Sequence, residues 1–366
     1  KINKILKILS YFSNDPNNDV IESFKELHEK ENYIQLLEMA STMELSYPKS
    51  ATIQFFKGAA SYALKDTKSA SAFFISAIQL NPVYAQAHYN LGLVYQEAKA
   101  LNEAIKSYQC AININPNYLL PYINLGVCLQ SLGNVEEALE YLKKALSINS
   151  KNATVFNNLG SLYQDLGDMQ AAVNNYKHAL LLDPNYADCY SNLALCSHLL
   201  GMEDDAKTYY EKALLLDPKS ETANYMVAAL SGREVKSAPK EYIEKLFDGY
   251  ATKFEEALVR GLDYSPADFI LNTRIDAKKI NYSRVLDLGC GTGLIGAEIH
   301  ADQITIDGVD ISKKMLEQAN KKNIYRRLTH SDIEEYLSKA MLDYDLYLAA
   351  DVFIYIGDLD PIFKLF

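Results

Sequence analysis

The sequence lacks several features that mark broad classes of protein. None of its five cysteines belongs to a Cys-x-x-Cys pair, and their odd number argues against a disulfide framework or a zinc site. It contains no run of about 18 apolar residues, the length needed to cross a membrane. The first residues, KINKILKILSYFSND, also lack a cleavable signal pattern. These absences predict a cytoplasmic protein in a reducing compartment, with no membrane segment and no metal site.

Positive charge is also in short supply. Lys and Arg number 36 against 47 Asp and Glu, which gives a formal net charge of -11. A protein that binds phosphate backbones over a broad surface needs the opposite balance. The composition therefore disfavours nucleic acid as a partner. With 366 residues, 49% of them hydrophobic, the chain is long and apolar enough for two or more globular domains.

A 34-residue repeat occupies residues 51–220 in five copies without insertion. Alanine marks two columns, at Ala70, Ala104, Ala138, Ala172 and Ala206 and, seven residues later, at Ala77, Ala111, Ala145, Ala179 and Ala213. A large side chain recurs between the two columns, at Phe74, Tyr108, Leu142, Tyr176 and Tyr210, and a small residue recurs near the front, at Gly58, Gly92, Gly126, Gly160 and Ala194. Small residues let two helices approach closely, and the large side chain fills the space beside them. We therefore predict two antiparallel helices per copy.

The repeat resembles the tetratricopeptide repeat, as in AQAHYNLGLVYQEAKALNEAIKSYQCAININP from Ala85. The resemblance implies an α-solenoid with a concave groove lined by the first helix of each pair. Upstream, residues 1–50 are expected to hold helices of a degenerate sixth copy, whose second helix is recognisable in ENYIQLLEMASTMELSYPKS. Residues 221–239 are expected to form a capping helix and a linker.

Asparagine recurs at 34-residue steps on the predicted first helices, at Asn90, Asn124, Asn158 and Asn192. A carboxamide both donates and accepts hydrogen bonds, so a row of them can hold the backbone of an extended peptide. Gln96, Gln130 and Gln164 would extend this polar groove. A similar ladder is found in O-linked N-acetylglucosamine transferases, but asparagine is frequent at this position in tetratricopeptide repeats generally. We predict a protein or peptide partner in the groove. A sugar transferase is disfavoured because the chain has no matching catalytic region.

A glycine-rich turn follows a predicted strand in the last third of the chain. The strand spans Tyr282 to Asp287, the turn is Leu288-Gly289-Cys290-Gly291-Thr292-Gly293, and a helix begins near Leu294. This order brings backbone N–H groups and bare main chain against a ligand. Three further strands are predicted: one ending in Asp310, one near Arg327–His330 that leads to Asp332, and one in DYDLYLAADVFIYI.

Two nucleotide cofactors could use this turn, because Gly291 to Gly296 is also GxGxxG, the phosphate fingerprint of NAD enzymes. Asp287 discriminates between them. A carboxylate about 4 Å from a pyrophosphate would be repelled by about 4 kcal/mol at an effective dielectric constant near 20. S-adenosylmethionine has no phosphate, and its sulfonium and ammonium groups are attracted by acidic residues. The glycines alone could be tight-turn residues, but that interpretation leaves the acidic residues unexplained.

The segments VLDLGCGTG, GVDIS, SDI and AADVFIY resemble, in this order, the class I S-adenosylmethionine-dependent methyltransferases. The preceding YIEKLFDGYATKFEEALVRGLDYSPADFI is similar to a bacterial family that fuses tetratricopeptide repeats to such a domain. The resemblance implies a partial Rossmann-like α/β methyltransferase domain in residues 240–366, with S-adenosylmethionine as its cofactor. It assigns the methionine part to Asp287, Gly289, Cys290, Gly291, Thr292 and Gly293, the ribose and adenine to Asp310 and Ile311, and the adenine edge to Asp332 and Ile333.

Methyl transfer is an in-line displacement that needs alignment and, at most, removal of a proton. Asp351 and Tyr355 lie where the superfamily contacts the methyl acceptor, and Tyr250 is expected to cover the cofactor. Each of these residues could instead cap a strand end or fill the core. The identity of the acceptor is not legible in the sequence.

The methyltransferase-like part is short. From Ser283 to Phe366 there are 84 residues, enough for four strands of a sheet that has about six or seven in this superfamily. We therefore expect a fragment of a longer reading frame, with the fourth strand at an edge. The leading hypothesis is a methyltransferase with a protein-binding repeat array. The alternative is a tetratricopeptide-repeat scaffold carrying an inactive or incomplete methyltransferase-like domain.

Overall fold

The computed structural model describes residues 14–233, 238–251, 254–256, 282–300, 303–339, 343–350, 352–353 and 359–365, apart from the side chains of Tyr250, Glu256 and Pro361. The chain divides into two compact units, residues 1–162 and residues 163–366. No helix in these ranges is both long and apolar enough to cross a membrane.

The first unit is built from helix pairs, whose second helices begin 34 residues apart. In chain order its helices are α1 (Asn18–Glu29), α2 (Tyr33–Glu44), α3 (Ala51–Ala63), α4 (Thr67–Leu80), α5 (Ala85–Glu97), α6 (Leu101–Ile114), α7 (Leu119–Ser131), α8 (Val135–Ile148) and α9 (Ala153–Asp165). The last three residues of α9 belong to the second unit. These pairs confirm the predicted two-helix repeat.

The small and large columns pack as predicted. The large residues Phe74, Tyr108 and Leu142 are almost fully buried. A Cβ atom added at the facing glycine would lie less than 3 Å from each of them: 2.7 Å for Gly58 and Phe74, 2.4 Å for Gly92 and Tyr108, and 2.9 Å for Gly126 and Leu142. The period therefore encodes a close helix–helix contact inside each of these three pairs.

The degenerate copy has a first helix as well as the second helix visible in the sequence. At the position of Gly58 this copy has Phe24, and at the position of Phe74 it has Ala40. Both residues are fully buried in one cluster with Leu36. Large and small residues have thus exchanged positions while the space is still filled, which is why the column pattern hides α1.

The second unit continues with α10 (Met169–Leu182), α11 (Ala187–Leu199), α12 (Glu203–Leu216), α13 (Glu221–Leu230), α14 (Lys240–Tyr250) and the short α15 (Phe254–Glu256). Buried Tyr242 and Ile243 of α14 pack in one cluster with Met226 and Val227 of α13 and with Tyr210 of α12. Apolar packing therefore fixes α14 against the last helices of the array.

In the described residues of the second unit, a parallel sheet of four strands follows these helices. Its described elements are β1 (Arg284–Leu288), α16 (Leu294–Ile299), β2 (Thr305–Asp310), α17 (Lys313–Lys321), β3 (Tyr325–His330), α18 (Ile333–Lys339), β4 (Leu346–Leu348) and α19 (Asp360–Phe363). The strand order is β3-β2-β1-β4, and all three pairings are parallel. Within the described residues β4 is shorter than its apolar sequence predicts, and it lies at the predicted edge. The chain is thus a tetratricopeptide solenoid followed by a partial Rossmann-like domain.

The strand order reverses beside β1, because β2 and β3 lie on one side of it and β4 on the other. In open parallel sheets, ligands bind at the carboxyl ends of the strands at such a switch point. The glycine-rich turn begins at the carboxyl end of β1, so the fold places it where a cofactor would be bound.

Candidate cofactor site and repeat groove

The glycine-rich turn is held tightly at its first residues and is open at its centre. The backbone N–H groups of Gly289 and Cys290 both donate to the carbonyl oxygen of Val309 on β2, at 2.8 and 3.0 Å. Gly289 has φ of 66°, and a Cβ atom added to it would lie 2.4 Å from the side chain of Val352. Gly291 has φ of 54°, and its nearest such neighbour is Phe254, at 3.8 Å. Among the described residues, the turn therefore has open space at Gly291.

Asp310 closes the turn from the end of β2. Its Oδ2 accepts from the N–H of Gly291 and its Oδ1 from the N–H of Ser312, both at 2.8 Å. Burial raises the pKa of Asp310 above its ordinary value, although these two hydrogen bonds act in the opposite direction. Each carboxylate oxygen can accept more than one hydrogen bond, so capacity remains for two ribose hydroxyls.

Asp287 lies at the end of β1 and is only 2% exposed. Burial raises its pKa to about 6, and the nearby carboxylate of Asp310 adds to this effect. The hydroxyl of Tyr325 donates to Asp287 Oδ2 at 2.7 Å and partly offsets the rise. A buried carboxylate with a second acidic group beside it is a site whose ionised form a cationic ligand would stabilise.

Tyr325 is a site residue that the sequence analysis missed. Its ring lies over the turn and the helix that follows, 2.9 Å from the position of an added Cβ at Gly293 and, at the hydroxyl, 2.3 Å from that at Gly296. The strand that it opens was predicted only near Arg327–His330, two residues later. The available signal was an aromatic residue at the start of a strand next to an acidic turn, which is too common to identify a function.

The three predicted adenine contacts occupy different environments. Ile311 follows Asp310 and is half-buried, with its carbonyl oxygen 2.8 Å from Nε2 of His330. Asp332 caps α18 by accepting from the N–H of Glu335. The side chain of Ile333 is buried in the core below β1 and β2, so only its backbone could reach an adenine.

The turn fits an S-adenosylmethionine molecule. Within the described part of the chain, Gly291 leaves space that a side chain would fill, and the two carboxylates suit a cation and a ribose. In addition, the buried hydroxyl of Thr292 has no hydrogen-bond partner among the described residues. The side chain of Tyr250 and the whole of Asp351 and Tyr355, predicted beside the cofactor and the acceptor, lie outside what the structure describes.

The four asparagines of the predicted ladder are half-buried in the structure. Asn90 Nδ2 donates to the carbonyl oxygen of Gln86 in its own helix, at 2.8 Å, and Asn124 Nδ2 donates to the hydroxyl of Tyr89, at 3.2 Å. Some of their donor capacity is therefore used within the array.

The glutamines expected beside this ladder form hydrogen bonds inside the repeats. Gln96 accepts from the buried hydroxyl of Tyr108 at 2.7 Å, and Gln164 accepts from that of Tyr176 at 3.2 Å. Satisfying a buried hydroxyl is a structural role. That these two glutamines also extend the groove stays a prediction.

A cavity of about 620 Å³ lies in the first unit, among α1, α3 and α5. Phe55, Phe56 and Tyr84 give it apolar walls, while Lys25 and Asn90 add polar groups. The first member of the ladder therefore lines a concave site, as the solenoid geometry predicts.

Comparison with known families supports the fold interpretation of both the repeat array and the parallel-sheet region. A family model described as tetratricopeptide repeat matches residues 83–151, 117–181 and 151–219. A second family model, described as methyltransferase domain, matches residues 285–364. The chain therefore combines tetratricopeptide repeats with a methyltransferase domain.

Individual relatives cover parts of the chain. The malonyl-[acyl-carrier protein] O-methyltransferase of Legionella pneumophila is 35% identical over 96 residues, which are 25% of this chain and 34% of the relative. The chain thus matches about a third of the length of that curated relative.

Solved structures resemble the repeat array. The APC/C hetero-tetramer Cut9–Hcn1 is similar with a TM-score of 0.52 at 22% identity, over 69% of this chain and 50% of that one. YrrB, a tetratricopeptide-repeat protein with an unusual peptide-binding site, has a TM-score of 0.42 at 20% identity, over 50% of this chain and 95% of that one. The first of these likenesses supports the solenoid fold alone.

Proposed function

We propose that this chain is an S-adenosylmethionine-dependent methyltransferase whose repeat array binds a protein or peptide. The observation that carries the proposal is the pair of buried carboxylates, Asp287 and Asp310, on either side of a turn that is open at Gly291. We assign residues 51–220 to the repeats, residues 221–239 to a cap and linker, and residues 240–366 to the methyltransferase domain, with residues 1–50 as the degenerate copy.

The charges of the site match this cofactor. The ionised form of Asp287 is disfavoured by burial, and a sulfonium or ammonium group nearby would offset that cost. A phosphate would increase it. The Legionella relative is a methyltransferase by name, which supports the same reaction class for this chain. We do not extend the acceptor of that relative to this chain.

Bound S-adenosylmethionine supplies an electrophilic methyl group. In our proposal, Asp310 holds the ribose hydroxyls, Ile311 and Asp332 hold the adenine, and Gly289 to Gly293 accommodate the methionine part. Asp351 and Tyr355 are proposed to contact the acceptor. The task of these groups is to align the two reactants, and such alignment accounts for much of the acceleration of an in-line transfer.

Isothermal titration with S-adenosylmethionine and S-adenosylhomocysteine tests the cofactor assignment. We expect single-site binding of both to the wild-type chain and a loss of at least about a hundredfold in Asp310→Ala, which removes a charged acceptor. Asp343→Asn is the matched control, because Asp343 is an exposed acid of the same domain. If the wild-type chain binds neither ligand, the cofactor assignment is contradicted. The remaining interpretation is then a tetratricopeptide-repeat scaffold with an inactive or incomplete methyltransferase-like domain.

For the groove, the cavity lined by Asn90 favours binding of an extended peptide. A peptide selected from a random 12-residue library displayed on phage can serve as the probe, with affinity measured by fluorescence anisotropy. We expect Asn124→Ala with Asn158→Ala to weaken binding about tenfold or more, since each removes hydrogen bonds worth about 1 kcal/mol. Asn174→Ala, on the exposed face of a second helix, is the control. Equal affinity in the double variant and the control would rule out the ladder.

A further inference from the structure

Three charged residues of α14 lie one turn apart on one face: Lys240, Glu244 and Asp248. Each of them contacts a segment to which we assign the adenosine half of the cofactor. Lys240 Nζ lies 3.1 Å from Asp332 Oδ1. Glu244 Oε1 lies 3.3 Å from His330 Nε2, which in turn lies 2.8 Å from the carbonyl oxygen of Ile311.

Asp248 makes the closest connection to the predicted ribose site. Its Oδ1 accepts from Ser312 Oγ at 2.6 Å and from the N–H of Lys314 at 3.1 Å. Ser312 is fully buried, and its own N–H donates to Asp310 Oδ1 at 2.8 Å. Its Oγ also accepts from the N–H of Met315, which caps α17. Asp248 therefore fixes Ser312, whose N–H in turn donates to Asp310.

The helix that carries these residues is itself anchored. Tyr242, on the opposite face of α14, is buried with Met226 and Val227 of the capping helix. Gly249 lies against Leu199 of α11, 3.2 Å from the position of an added Cβ. A side chain on such a fixed helix can constrain the loops it contacts.

We propose that Lys240, Glu244 and Asp248 of α14 act as positioning residues that set the adenosine half of the cofactor site, with Asp248 as the principal one. This inference rests on the proposed function, since it concerns affinity for the same cofactor. It makes the helix between the repeats and the sheet part of the cofactor-binding machinery.

The test measures the affinity of the full chain for S-adenosylmethionine and for S-adenosylhomocysteine, which lacks the sulfonium charge. Asp248→Ala should weaken binding of both ligands about tenfold, because the hydroxyl of buried Ser312 and the N–H of Lys314 lose their charged acceptor. Asp248→Asn keeps an oxygen at the Oδ1 position and should stay within about threefold of the wild type. Rescue by the amide separates positioning from the charge of Asp248.

Lys240 and Glu244 allow a second test, because their charges are of opposite sign. If α14 positions the site, Lys240→Gln and Glu244→Gln both weaken both ligands, by about two- to fivefold. If it acts only through its electric field, Lys240→Gln tightens binding of S-adenosylmethionine and Glu244→Gln weakens it, while S-adenosylhomocysteine, which carries no net charge, is nearly unaffected. That pattern would overturn the proposal.

Glu241→Gln and Lys245→Gln provide matched controls of the same types on the same helix. These two residues form an exposed ion pair with each other, at 2.8 Å. We expect unchanged affinity for both controls. If the wild type binds and Asp248→Ala binds equally well, only the proposed role of α14 is contradicted. If the wild type binds neither ligand, the proposed function is contradicted as well.

Discussion

A methyl group added at Gly92 in the repeat array would lie 2.4 Å from the ring of Tyr108, whereas one added at Gly291 in the methyltransferase domain would lie 3.8 Å from its nearest neighbour, Phe254. In the array, glycine makes room for another side chain of the same protein. In the turn, it leaves room that the described part of the protein does not fill. The same residue type therefore serves helix packing in the array, and in our proposal it leaves space for a ligand in the turn.

The buried polar residues Tyr108 and Asp287 show the same contrast. The array buries the hydroxyl of Tyr108 and satisfies it with Gln96. The site buries the carboxylate of Asp287, whose raised pKa shows that its ionised form is disfavoured there. We infer that stability dominates the choice of residues in the array and that the site carries a cost in stability.

The largest expected effect is a gain in stability from Asp287→Asn. The pKa of about 6 lies roughly two units above the ordinary value of 3.8, so the ionised form costs up to about 3 kcal/mol in the folded state. This penalty is present above pH 6 and disappears as the pH falls through 6 toward 4. Urea unfolding should show the variant to be more stable than the wild type at pH 8 and close to it at pH 4, with about half of the difference remaining at pH 5.

The same substitution should weaken S-adenosylmethionine, because a neutral amide does not attract the cation. In the wild type, affinity should fall as the pH drops below about 6, where Asp287 becomes protonated. In Asp287→Asn this pH dependence should be lost. A variant that is no more stable at pH 8 and binds as well as the wild type would break the contrast between array and site.

Gly92→Ala tests the array in the opposite direction. The added methyl group collides with Tyr108, and we expect a loss of about 2 kcal/mol in unfolding free energy, typical of overpacking. In the fifth repeat the equivalent residue is Ala194, so Ala194→Gly is the reciprocal control and should cost about 1 kcal/mol. An unchanged melting temperature for Gly92→Ala would refute the packing role of the column.

Gly291→Ala compares the cost in stability with the cost in binding. Positive φ alone should cost about 1 kcal/mol, while affinity for S-adenosylmethionine should fall more than about tenfold as the open space is filled. Gly133→Ala is matched, because Gly133 also has positive φ, of 80°, and nothing lies within 4 Å of its added Cβ. It should lose similar stability and no affinity. Equal affinity in both variants would place the cofactor elsewhere.

The smallest effect is expected at the turns inside the repeats. Lys99 and Gly133 occupy the same repeat position with φ of 61° and 80°. A lysine in this conformation carries a steric cost that glycine avoids, so Lys99→Gly should raise the unfolding free energy by about 0.5 kcal/mol. Chemical denaturation of the two proteins side by side measures this difference, and a loss of stability would contradict it.

The sequence predicted the repeats well because their signal is local and redundant. Five alanine pairs and four glycines indicated the same helix contact, and the structure shows it at Gly58, Gly92 and Gly126. Only the first helix of the degenerate copy was not recognised, because Phe24 and Ala40 exchange size, which preserves the filled volume and destroys the pattern. In this copy the summed volume of the two facing side chains is kept, but a column of the repeat pattern records the size of only one of them.

The candidate site was only partly accessible from the sequence. The glycine-rich turn and the strand-end acids follow one another locally, so the positions of Asp287 and Asp310 could be predicted. The contact between Asp248 and Ser312 joins residues 64 positions apart, and Tyr325 reaches Asp287 across 38. Such contacts depend on how helices and strands pack, which no short motif encodes.

A crystal structure of the chain with S-adenosylhomocysteine tests the central claim most directly. Our account predicts ribose hydroxyls within hydrogen-bond distance of both carboxylate oxygens of Asp310, and the amino acid part of the ligand along Gly289 to Gly293, beside Asp287. A ligand bound away from this turn, or one whose ribose does not contact Asp310, would contradict it.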